Sequence, residues 1–141
     1  MSSQELLLIC SGEHSFGQML AGYLGFYSGK KFNSTVVTLE NRGLHPLAIQ
    51  VMKEDGIDIA SARNILMQQI PSRRYDLLIN LTGETFQLPN NTTVLEIADI
   101  SISYNDSYSA FEDILQQFRN IREEIKVFAI ETAGKYSAAQ L

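Results

Sequence analysis

The sequence predicts an α/β fold in three layers: a four-stranded, mostly parallel open sheet with helices on both faces. Three observations predict it. Short apolar or β-branched runs alternate along the chain with segments of helical period. The first run, "ELLLI" (Glu5 to Ile9), has no polar alternation, as a strand buried on both faces requires. The 141 residues, 45% hydrophobic and 19% charged, suffice for one real core, and no linker, repeat or low-complexity segment divides them.

The elements follow in order. Glu5 to Ile9 ends at Cys10 as strand one. Gln18 to Tyr27 is a helix, with Met19, Leu20, Tyr23, Leu24 and Tyr27 at helical spacing and Gly29 at its exit. Thr35 to Leu39, "TVVTL", is β-branched and gives strand two. "GLHPLAIQVMKEDGIDI" is a helix with both ends signed, Pro46 in its first turn and Gly56 just past its end. "SARNILMQQI" (Ser61 to Ile70) reads as a shorter helix capped by Ser61. Tyr75 to Leu81 is strand three, stopped at Gly83, and Thr93 to Ala98 is strand four.

Ser109 and Glu112 have the spacing of a capping box for the last helix. Phe111, Ile114, Phe118, Ile121, Ile125 and Phe128 then form one apolar stripe. The reading is one domain over 1–132, with a loose tail over 133–141. In such a sheet ligands bind beyond the C-terminal strand edges, where Cys10 falls.

Charge and cysteine count exclude several classes. The net charge is −5, and the 11 Lys and Arg are adjacent only at Lys30-Lys31 and Arg73-Arg74. That excludes the basic stripe through which nucleic acid or an anionic membrane is held. No apolar run reaches the roughly 18 residues of a membrane span, and "MSSQELLLIC" lacks a secretory n-region. A cytoplasmic protein is expected, in which "NST" and "NNTT" are chance glycosylation matches. The single cysteine permits no internal disulfide and no multi-cysteine zinc site. His14 and His45 lie far apart in sequence, so no metal site and no cofactor are expected. His14 reads as a solvated loop residue or a base for Cys10, and His45 as a helix-entry residue. Glu54-Asp55 and Glu123-Glu124 read as solvated helix faces.

The stretch after strand one carries the chemistry. "SGEHSFG" (Ser11, Gly12, Glu13, His14, Ser15, Phe16, Gly17) joins an apolar strand to a helix, with Gly12 and Gly17 permitting tight or left-handed backbone. A loop of this kind aims N–H groups and a helix dipole at one point, as an anion-binding loop does. A cysteine there has its thiol pKa lowered. The alternative is that Cys10 simply ends a buried strand. Residue pattern alone leaves both open.

"LLLICSGEHSFGQMLAGYL" resembles the nucleophile loop of the low-molecular-weight protein tyrosine phosphatases and thioredoxin-coupled arsenate reductases, which reads V-C-x-G-N-x-C-R-S-x-M-A-E-G-x. "GLHPLAIQVMKEDGIDI" resembles the reductase branch more closely still, "YDLLINLTG" falls at the D-x-V-x-x-L-C-G strand, and "FRNIREEIKVFAIET" is similar to the terminal helix of the reductases. The likeness spans residues 5 to 132 in unbroken order. It implies a phosphatase-like three-layer fold and a phosphatase or arsenate reductase by descent.

Residue by residue the transfer is partial. Cys10 matches the family nucleophile, Gly12 a loop glycine, and Gln18 and Met19 the helix start. The loop asparagine becomes Glu13, the second loop cysteine Ser15, and the serine that steadies the thiolate Gly17. The arginine that grips the oxyanion becomes Phe16. Thr82 and a residue near Pro89 stand where the reductases carry relay cysteines. No Asp-Pro supplies a general acid, so Asp99 and Asp106 are candidates by region alone. None of Arg42, Arg63, Arg73 and Arg74 is pointed at the loop by its spacing. Three readings follow: an impaired family member acting as a binding or regulatory module for a protein partner or phosphorylated ligand; a phosphatase- or reductase-like enzyme still using Cys10; or a redox sensor. Oligomeric state is not written in the chain.

Overall fold

The computed structural model describes residues 3–40, 42–89 and 91–139. In chain order its elements are β1 (Gln4–Cys10), α1 (Phe16–Tyr27), β2 (Phe32–Thr38), α2 (Pro46–Glu54), β3 (Ile65–Leu66), a 3₁₀ turn (Met67–Gln69), β4 (Arg74–Asn80), β5 (Thr93–Asp99) and α3 (Phe111–Ala139). The strands lie in the order β3-β2-β1-β4-β5, and every neighbouring pair is parallel. The expected α/β architecture is present, with five strands in place of four.

β1 is the middle strand, and Leu6 to Ile9 are buried on both faces, which explains their unbroken apolar run. From β1 the chain first builds outward through β2 and β3, then returns to the other side for β4 and β5. Cys10 ends the strand at which that order reverses, the place where open sheets of this kind hold their ligands.

The two faces are covered differently. Leu6, Leu8, Leu77 and Ile79 face a core built from α1, α2 and α3 together. The opposite face, with Leu7, Ile9, Val37 and Leu78, is covered by Met67 and Ile70 around the 3₁₀ turn and by Phe86 and Leu88 from the β4–β5 connection. The third layer is therefore a short turn and loops, and the α-helices share one face. A parallel crossover needs about a dozen residues, and the segment between β4 and β5 supplies them without a helix.

Several local expectations change. Ser61 to Ile70 is not a helix. Ile65 and Leu66 pair with Val37 and Thr38 of β2, and the apolar residues then turn onto the second face. Sheet pairing overrides the local helical pattern there. The last helix receives its first N–H bonds at the Ala110 carbonyl, from Asp113 and Ile114, so Ala110 holds the cap position expected of Ser109. Phe111, the first residue of the expected stripe, is 60% exposed, while Phe118, Ile121 and Ile125 are buried.

The tail expected to be loose over 133–141 is helical as far as Ala139. Ala129, Thr132 and Ala133 are buried, and the Tyr136 hydroxyl donates to Glu96 Oε2 at 2.7 Å. Residues 140 and 141 of that expectation lie outside the described residues. Glu54 and Asp55 are not free in solvent either. Arg119 and Arg122 of α3 bind Glu54 at 2.6 and 2.8 Å, and Lys126 binds Asp55 at 2.7 Å. The Tyr23 hydroxyl also donates to Asp55, so the end of α2 is tied to α1 and α3 at once. Among the described residues no helix is long and apolar enough to cross a membrane.

Candidate functional site: the Cys10 loop

Cys10 leaves β1 with its side chain toward the helical core and is 4% exposed. Its carbonyl accepts from the Leu39 N–H at 3.1 Å, which holds the loop's first residue against β2. Gly12 has φ 89°, and a Cβ there would lie 2.9 Å from Thr38 Cβ. Both its conformation and its close approach call for glycine. The second residue with positive φ in the loop is Ser15, not Gly17, at φ 63°. A non-glycine residue in this region stores about 1–3 kcal/mol of strain. What holds it is a hydrogen bond from the His45 N–H to Ser15 Oγ at 2.8 Å.

Ser15 precedes α1, which starts at Phe16, two residues before the expected Gln18. Gln18 is buried and donates from Nε2 to the Arg63 carbonyl at 3.0 Å and to Asn64 Oδ1 at 2.8 Å. Gly17 lies in the first turn for reasons of space. A Cβ at this position would be 2.6 Å from Cys10 Sγ. In this chain the helix starts so close over the sulfur that a side chain at position 17 would collide with it.

Burial pushes the Cys10 pKa up, and the N–H groups of Gly17 and Gly12, which draw it down, do not offset that. The expected lowering is therefore reversed: desolvation outweighs the dipoles. Sγ lies 3.7 Å from the Val37 carbonyl, a partner for S–H rather than for thiolate.

At the start of α1, Phe16 joins an aromatic cluster. Phe16 stacks on His14 with centroids 5.3 Å apart and lies 6.0 Å from Phe118. Tyr104, from the β5–α3 loop, stacks on His14 at 3.8 Å. His45 packs on Phe118 at 4.7 Å, and its Nδ1 accepts the Leu47 N–H at 3.1 Å. It is thus the cap of α2, as a helix-entry residue should be. His14, expected in solvent, is half-buried, and burial lowers the pKa of both histidines. Their rings are 6.1 Å apart, so distance in sequence misled about distance in space.

The two acid candidates separate. Asp99 ends β5 opposite Asn80 of β4, which itself lies opposite Ile9 of β1. That places it two strand spacings, about 10 Å, from β1. Asp106 is beside the loop: its carboxylate, that of Glu13 and a His14 ring nitrogen all lie within 4.8 Å of one another. Ser11 is exposed, and its Oγ is within 3.5 Å of the Glu13 N–H.

Of the four arginines weighed above, Arg63 is exposed, its carbonyl bonded by Gln18 and its side chain in no ion pair among the described residues, while Arg73 and Arg74 pair with Glu5 and Asp76 at the starts of β1 and β4, the sheet end away from Cys10. Arg42 is near enough for its charge to oppose protonation of His14, but its guanidinium is bound to Glu40 at 2.7 Å. Thr82 is held in a turn, donating from Oγ1 to Asn80 Oδ1 at 2.7 Å. Tyr104 and the meeting of Phe118 with the loop are what sequence reasoning missed. Phe118 was visible as a core residue, but Tyr104 lies in a polar, aperiodic loop with no signal to mark it.

No protein-family model matches the chain. Among curated proteins it is 28% identical over 124 residues to the glutaredoxin arsenate reductase of Synechocystis, covering 87% of this chain and 91% of that protein. It is 29% identical over 140 residues to arsenate reductase 1 of Staphylococcus epidermidis, covering 94% and 96%. A solved arsenate reductase in its reduced state superposes with a TM-score of 0.77 at 26% identity, over 94% of this chain and 98% of the other. Vibrio vulnificus Wzb in complex with benzylphosphonate shares the fold, with a TM-score of 0.66 at 17% identity over 95% and 99%. Relatives matched nearly end to end, with the strand–Cys10–loop–helix unit at the switch point of a parallel sheet, give one conclusion: the chain is similar along nearly its whole length to arsenate reductases and has their fold.

Proposed function

We propose that this protein is a catalytically impaired member of the low-molecular-weight protein tyrosine phosphatase and arsenate reductase family that serves as a binding or regulatory module. The observation that carries the reading is Phe16. It stands where the family's loop arginine stands, its ring packs with His14, Tyr104 and Phe118, and Cys10 is buried. An oxyanion held against the loop amides would lose bidentate charge-assisted bonding and would meet Glu13 in place of an amide side chain. Loss of one preorganised donor to a transition state costs on the order of 10²–10³ in rate. With one cysteine in the whole chain, a relay of oxidation to two further thiols has no carriers.

A second reading keeps Cys10 as nucleophile toward phosphate or arsenate. It is favoured by the N–H groups of Gly12 and Gly17, which still bear on the sulfur. Turnover of an aryl phosphate by wild type, Cys10→Ser and Phe16→Arg decides between the two. The expected result is that wild type is no faster than Cys10→Ser. Turnover by wild type that the serine variant loses would overturn the proposal and leave Cys10 a working nucleophile.

A further inference from the structure

We infer that Glu13, His14 and Asp106 form a site for a divalent first-row transition cation at the mouth of the Cys10 loop. The three come from two segments that only the fold brings together, the β1–α1 loop and the β5–α3 loop. Their ligand atoms, one imidazole nitrogen and two carboxylate oxygens, all lie within 4.8 Å of one another. Ligands at 2.0–2.2 Å from a zinc-like ion require closer spacing than that. Glu13 and Asp106 are exposed, so side-chain rotation can supply it without moving backbone.

Charge favours the same occupant. Two neighbouring carboxylates repel each other, and a cation shared between them relieves that repulsion. Among the described residues neither makes a salt bridge, and the guanidinium of Arg42 is engaged with Glu40. The His14 ring, packed on Tyr104 at 3.8 Å, is already held in one plane. A mixed nitrogen–oxygen donor set selects zinc, cobalt, nickel or manganese over calcium or magnesium. Three protein ligands leave at least one position for water or an anion. His45 does not complete the set through Nδ1, which accepts from Leu47, and buried Cys10 is not part of it. The inference stands whether or not Cys10 turns over phosphate, so the two readings fail separately.

Titrating the full-length protein with Co²⁺, followed by its visible absorption and by competition with Zn²⁺, tests this site. One equivalent should bind, with affinity falling roughly tenfold or more in His14→Ala and in Asp106→Asn, and unchanged in Glu124→Gln. Asp106→Asn is an exposed, isosteric change, so its effect can be read even if His14→Ala disturbs the aromatic cluster. Absence of saturable binding overturns the site. So does equal affinity in wild type and Asp106→Asn, or a thiolate charge-transfer band that Cys10→Ser abolishes.

Discussion

Gly17→Ala destabilises this protein, and removing the Cys10 sulfur restores much of the loss. The alanine methyl would lie 2.6 Å from Cys10 Sγ and 3.0 Å from Val36 Cγ1. Both are well inside van der Waals contact. Overpacking of this kind costs about 1–3 kcal/mol, and it opposes a helix-propensity gain of about 0.5–1 kcal/mol. Overpacking wins because neither neighbour can retreat: Val36 is in a central strand and Cys10 ends β1. In urea denaturation the variant should unfold at a lower midpoint, and Gly17→Ala/Cys10→Ala should recover most of the difference. A Gly17→Ala protein as stable as wild type would mean that α1 does not start over the sulfur as described.

Phe118→Ala should carry the larger penalty. The ring is fully buried, and it joins α3 to Phe16, His45 and Tyr104 at the loop mouth. Truncating a buried phenylalanine costs about 3–5 kcal/mol. This position belongs at the upper end of that range, because the ring also orders three aromatic neighbours. A loss below about 1 kcal/mol, measured by the same denaturation, would show that the aromatic cluster contributes little to holding α3 on the loop.

How much of this was legible beforehand differs between the frame and the site. β1 could be read from four consecutive apolar residues, and α2 from Pro46 and Gly56, because those signals are local. Ile65 and Leu66 could not be read as a strand. Two residues carry no period, and only β2 tells them what to become. The C-terminal extension of α3 was hidden for a similar reason: Thr132 and Ala133 are buried against elements remote in sequence, while their own segment looks polar.

At the site, the resemblance singled out Cys10, Gly12 and Phe16, which the structure places at the end of β1, in the connection and at the start of α1. It could not say what fills the space the arginine leaves. That answer required Tyr104, brought in by the β5–α3 loop, and Phe118 from α3. The direction of the thiol's pKa was also beyond local reasoning. Dipoles are visible in a strand–loop–helix pattern, but burial depends on everything packed above it, and here burial is the larger effect.

Cys10 is a buried, protonated thiol closed over by the start of α1, and its alkylation by iodoacetamide tests that most directly. Burial raises the folded pKa, so the thiolate fraction at pH 7 is smaller than for free cysteine, whose pKa is about 8.5. Native Cys10 should react more slowly than free cysteine at pH 7. Its rate should rise only through a midpoint above the free-thiol value, and unfolding in urea should bring it to the free-cysteine rate. A native thiol that alkylates faster than free cysteine at pH 7 would contradict the account and show an accessible, activated thiolate.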